Sequence, residues 1–114
     1  SRMRLRLQFG HYEDTDQVNP NTGIPVKAFK ANKDLTRWAG RWSLTQYDTL
    51  KLSGANIKDA VAFFIRHDEA ITSDYLIKLD DKLYTIDHIE RDIDPTRTQY
   101  DTIYCHAYMP RKHG

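Results

Sequence analysis

The chain has 114 residues, with 17 Lys+Arg against 16 Asp+Glu and a formal net charge of +1. That length fits one domain, since cores split only well beyond ~250 residues, and it excludes a two-lobed enzyme with an interdomain cleft. Near-neutrality argues against a dedicated nucleic-acid binder and against a basic membrane-surface module, and the single cysteine, Cys105, excludes a disulfide-stapled scaffold.

No apolar run approaches the ~20 residues a membrane-spanning helix needs, so the expectation is an intracellular, soluble protein. Ser1-Arg2 ahead of Met3 reads as an expression remnant, because the arginines that follow lead into no apolar stretch.

Met3, Leu5, Leu7 and Phe9 alternate with Arg4, Arg6 and Gln8, which is the period of a half-buried strand. From about residue 10 to 34 the chain is polar, first acidic (Glu13, Asp14, Asp16) and then dense in turn formers from Asn19 to Pro25. Only Val26, Phe29 and Leu35 are suited to burial there, so the segment reads as a long irregular loop, a kind of segment that tends to be functional or flexible. Residues 36–42 read as a strand carrying Trp38 and Trp42.

Ser43 and Gln46 fit a capping box, Leu44, Tyr47 and Leu50 follow at helical spacing, and Gly54 suits a C-terminal stop. One short α-helix over residues 44–53 is therefore expected. Beyond it the pattern is β again. Val61, Phe63 and Ile65 face one way and Ala60, Ala62 and Phe64 the other, so this strand is either central in a closed sheet or covered by another subunit. Residues 75–91 read as a hairpin turning at Asp80-Asp81. The last strand puts Ile103, Cys105, Ala107 and Met109 on one face and Tyr100, Tyr104, His106 and Tyr108 on the other. Without any βαβ alternation, the expected fold is mainly β, a small antiparallel barrel or sandwich in a single domain over residues 1–114.

Nothing in the sequence sets up catalysis. The five histidines form no metal-binding pattern, and His88 with Asp87 would point to opposite faces of a regular strand. His106 faces away from Cys105, which reads as a core thiol. The carboxylates Asp87, Glu90, Asp92 and Asp94 lack the glycine and closing glutamate of a calcium loop, and no phosphate-cradle or nucleophile-elbow motif occurs. The expectation is a non-enzyme with no catalytic residue, cofactor or metal. The aromatic face Tyr100, Tyr104 and Tyr108 admits three readings: half-buried packing, a protein interface, or a platform for single-stranded nucleic acid.

The order of features carries a family resemblance: Arg37-Trp38-Ala39, a short polar helix, Phe64-Ile65-Arg66, Asp74-Tyr75-Leu76-Ile77, the hairpin from Asp81 to Ile86, and a final strand ending at Cys105. Over residues 4–108 this resembles the tailed-phage head–tail joining proteins, small adaptor or head-closure (stopper) proteins. The resemblance reaches Trp38, Phe64, Ile65, Arg66, Ile77, Tyr84, Ile86 and Cys105. It implies a small barrel with one helix, assembled as a ring, typically dodecameric, between portal and tail. Such a ring closes the filled head, helps retain DNA and receives the tail.

The partners implied are portal or a portal-bound adaptor, a tail-completion or tail-terminator protein, further copies of the chain, and genomic DNA passing without sequence-specific binding. An isolated monomer is compatible with this, and the implied location is the virion, with assembly in the host cytoplasm. The candidate interface residues are Arg4, Arg6, Tyr12, Arg66, Tyr100, Tyr104 and Tyr108. Arg66 could pair with Asp68, Asp74 or a neighbouring subunit. Segment 10–34 is a candidate channel-closing loop or subunit-bridging arm, and its acidic start suits a wall that repels DNA.

Overall fold

The computed structural model describes residues 3–42 and 60–108. The expected helix over 44–53, with its capping box, lies outside the described residues. The strands are β1 (Leu5–Val18), β2 (Pro25–Trp42), β3 (Ala60–Arg66), β4 (Leu76–Leu79), β5 (Lys82–Glu90) and β6 (Tyr100–Ala107). All neighbours are antiparallel, and the order β1-β2-β3-β6-β5-β4 closes into a barrel. The closing ladder is short: Gln8, Phe9 and Gly10 of β1 pair with Lys78, Ile77 and Leu76 of β4.

A barrel of this size has room only for side chains, and period-two alternation supplies them. Leu7 and Phe9, Ala39, Val61, Phe63 and Ile65, Ile77, Tyr84 and Ile86, and Ile103 and Cys105 all point inward and are buried. Phe63 meets Tyr84 edge-on, with ring centres 5.6 Å apart. The strand that is apolar on both faces, β3, lies between β2 and β6, in the middle of the closed sheet. On its outer face Phe64 lies over Gly40, where a Cβ would collide with the ring. Phe64 is flanked by Trp42 at 4.5 Å and Tyr100 at 6.0 Å, so both sides of β3 are covered.

The hairpin read from residues 75–91 is present as β4 and β5, with Asp80 at the turn in the left-handed region (φ 55°). Segment 10–34 is not an irregular loop. Residues 11–18 of β1 and 25–30 of β2 pair with each other as a ribbon beyond the barrel, from His11↔Lys30 to Val18↔Pro25. Its turn is held by Asn19, whose carbonyl accepts from Gly23 N–H (2.8 Å) and whose N–H donates to Ile24 (2.9 Å). Gly23 takes the positive φ of 72° that this turn needs. Both faces of the ribbon meet solvent, so it has no apolar period for sequence reading to detect. At ~3.3 Å per residue, the eight residues beyond Gly10 carry the arm about 26 Å from the barrel.

Candidate functional site: the outer face, the arm and a buried carboxylate

Arg4 and Arg6 are exposed on the outer side of β1. Arg6 pairs in register with Trp38, and its guanidinium lies 4.8 Å from the Trp38 ring. Arg4 lines a cleft of about 500 Å³ together with Arg41, Lys82, Asp80, Asp81 and Tyr84, a mixture that favours neither sign of ligand. Arg66, exposed at the end of β3, lies opposite Tyr100. Asp68, one of the three partners expected for it, is held by Arg37 (Nε to Oδ2, 2.7 Å).

The three tyrosines do not form one platform. Tyr100 packs edge-on against Phe64. Tyr104 stacks on His88 at 6.2 Å and donates its hydroxyl to Glu90 at 3.4 Å. Tyr108 bonds through its N–H to the Leu83 carbonyl, and its ring lies 5.7 Å from that of Tyr12 at the base of the arm. Glu90 beside the central tyrosine repels phosphate, so the face lacks the basic track a single strand requires.

The register of β5 slips between Ile86 and His88. This bulge turns Asp87 and His88 to the same outer side, against the regular alternation expected of them: His106 Nδ1 lies 2.8 Å from Asp87, while His88 stacks on Tyr104. The slip also keeps both Ile86 and Ile89 against the core. Further on, Arg97 draws Asp92 and Asp94 together at 2.8 and 3.1 Å. The four carboxylates of residues 87–94 are thus all engaged by protein groups, Asp92 and Asp94 sharing Arg97, and no cluster of three or more His, Cys, Asp or Glu that could hold a metal occurs among the described residues.

One functional-looking residue escaped sequence reading. Asp101 shares the inward parity of Ile103 and Cys105 and is fully buried. Its carboxylate accepts from His67 Nδ1 (2.9 Å), Arg91 Nη1 (2.9 Å) and the N–H groups of Asp68 (3.2 Å) and Asp92 (3.1 Å). An ionised carboxylate is an acceptor only, so the His67 proton sits on Nδ1. Burial pushes the Asp101 pKa up, but these four donors outweigh it and hold the carboxyl below its usual range. Arg91 continues to the carbonyls of Asp68 (2.7 Å) and Ile71, and Arg37 ties Asp68 to the carbonyls of Asp34 and Thr36. The network joins residues 34–37 of β2 to the loop after β3, at Asp68 and Ile71, and the loop after β5, at Arg91 and Asp92. Its role is structural. Cys105, whose thiol burial pushes up, donates weakly to the Val61 carbonyl at 3.6 Å and is an inert core residue.

The arm carries its own pattern. Glu13, Asp14 and Asp16 lie on its first strand, and Lys27 and Lys30 on its second, with Asp14 opposite Lys27. Toward its tip Val18, Ile24 and Val26 are exposed. Together these features make a filled barrel with an aromatic and basic outer wall and a projecting ribbon.

The comparisons with known proteins supply the family. The family model described as phage head completion protein matches residues 1–108. The chain belongs to that family, which makes it a structural protein of the bacteriophage virion that takes part in head completion. The search of curated proteins found no match. Among solved structures, the solution structure of protein SF1141 from Shigella flexneri 2a is similar at 19% identity and a TM-score of 0.59, covering 93% of each chain. At that identity the likeness speaks to the fold.

Proposed function

We propose that the chain assembles as a ring below the portal, closes the DNA-filled head, helps retain the genome and offers the surface on which the tail docks. Portal or a portal-bound adaptor lies on one axial side and a tail-completion or tail-terminator protein on the other. Assembly takes place in the host cytoplasm. Catalysis is no part of this role.

The observation that carries the reading, beyond family membership, is the arm. A ribbon exposed on both faces contributes little to the core, and such a segment makes physical sense when another molecule orders and covers it. Around a ring each local charge becomes a band, so near-neutrality overall suits a channel that lets DNA pass without holding it. The nucleic-acid reading loses its support, because Tyr100, Tyr104 and Tyr108 are divided among separate contacts.

The test uses the phage that encodes this chain. Heads produced without the protein should fill but fail to join tails, and purified protein added to the extract should restore infectious particles. Normal tail joining in its absence would refute the proposal.

A further inference from the structure

The chain carries two exposed surfaces that fit each other and cannot meet within one molecule. The first is the arm tip, where Val18, Ile24 and Val26 are 53%, 62% and 42% exposed beside Asp16. The second is the outer wall of β2 and β3, where Trp38 and Trp42 are 53% and 51% exposed. Around the two tryptophans the outward, exposed charged residues are Arg6 on β1 and Arg66 on β3, and the exposed carboxylate of β2, Asp34, lies four residues before Trp38. Apolar surface is therefore flanked by acid on one side and by arginine on the other.

Val26 and Trp38 lie on the same strand. Twelve residues of strand separate them by roughly 40 Å, and the paired arm cannot fold back over that distance. A second copy of the chain is the occupant the observations favour. Arg6, already seated on the Trp38 ring, is held at the edge of the aromatic surface where an incoming carboxylate can reach it.

We propose that the arm of one copy lies across the β2–β3 wall of the next, its tip on Trp38 and Trp42 and its acidic strand facing Arg6 and Arg66. The contact joins unlike surfaces, so each copy uses its arm on one neighbour and offers its wall to the other. Head-to-tail contacts of this kind close into rings when the rotation allows. The inference rests on the ring reading above and specifies which surfaces hold the ring together.

Cysteine trapping tests it. Ile24→Cys and Trp38→Cys are purified separately, mixed, and oxidised with copper–phenanthroline and dissolved oxygen; buried Cys105 stays out of the reaction. Trapping reads transient encounters, so a monomeric protein is no obstacle, and both substituted residues are exposed, so folding is retained. The mixture should form a linked dimer about 10-fold faster than either variant alone, and Asp16→Lys on the arm partner, or high salt, should slow it several-fold. A mixture no faster than the separate variants, or linkage mainly between two Ile24→Cys arms, would overturn the contact. Either result leaves the head-joining assay to judge the broader function independently.

Discussion

Asp101→Ala should lower the stability of the barrel by about 3 kcal/mol, because it strands Arg91, His67 and two backbone N–H groups around a site with no acceptor. The figure sits at the low end for a broken buried ion pair, since Arg91 and His67 keep about a third of their side-chain surface in water and recover some solvation. For a domain of this size that loss corresponds to a fall in Tm on the order of 10 °C, readable by calorimetry or circular dichroism. A shift below about 2 °C would show that the network is not structural.

The same carboxylate gives a pH dependence of definite sign. Its folded pKa lies below its unfolded value, so its contribution is fully present above the unfolded pKa and is lost as pH falls through the folded one. Asp68 is held low in the same direction: burial raises it, and the Ala70 N–H and Arg37 outweigh that effect. Acid unfolding should therefore set in below the ordinary carboxylate range. In Asp101→Ala the acid-dependent part of the loss should shrink.

Gly10→Ala should be the most damaging small substitution. Gly10 is buried at the point where β1 carries both the closing ladder to Leu76 and the arm ladder to Ala31. A Cβ there would collide with the Lys30 carbonyl oxygen and lie 2.8 Å from the Ala31 Cα. These are backbone atoms, so the two strands must part. A cost of about 2–3 kcal/mol is expected, in the upper part of the overpacking range. Hydrogen exchange should show faster exchange at the root of the arm, with residues 60–65 following only the global loss of stability. Unchanged exchange at Tyr12 and Lys30 would contradict the close packing.

How much of this was legible beforehand depended on what each residue packs against. The barrel strands could be read because one face of each is buried, and burial imposes a period of two on Leu7 and Phe9, on Val61 to Ile65, and on Ile103 and Cys105. The arm could not, because a ribbon wet on both faces imposes no period and is held by backbone ladders that leave no trace in side-chain type. Its turn formers, Asn19 to Pro25, are visible in the sequence, but no residue pattern marks the segments on either side of them as paired strands. Asp101 was hidden by its polarity: alternation placed it inward, but a carboxylate on a core face is expected only where donors converge, and those donors come from loops at residues 67–68 and 91–92. The bulge at Asp87 was equally invisible, since one inserted residue reverses parity without any special composition.

The outer wall shows the same division. Trp38 was legible as a strand residue and by family resemblance, but its outward direction and its seat under Arg6 come from register alone. Of the seven candidate interface residues, Arg4, Arg6 and Arg66 share the basic wall with Tyr100 at its edge. Tyr104 and Tyr108 belong to separate contacts, and Tyr12 anchors the base of the arm.

In the proposed role the barrel supplies the scaffold and the arm supplies assembly. The most direct measurement replaces residues 13–28 with Asn-Gly, which closes the Tyr12–Phe29 pair as a two-residue hairpin, and adds the shortened protein to heads made without the native chain. The shortened protein should form a barrel that melts within about 3 °C of the full chain, since the removed ribbon contributes almost nothing to the core, and heads that receive it should remain unable to join tails. A shortened protein that restores tail joining as well as the full chain would contradict this role.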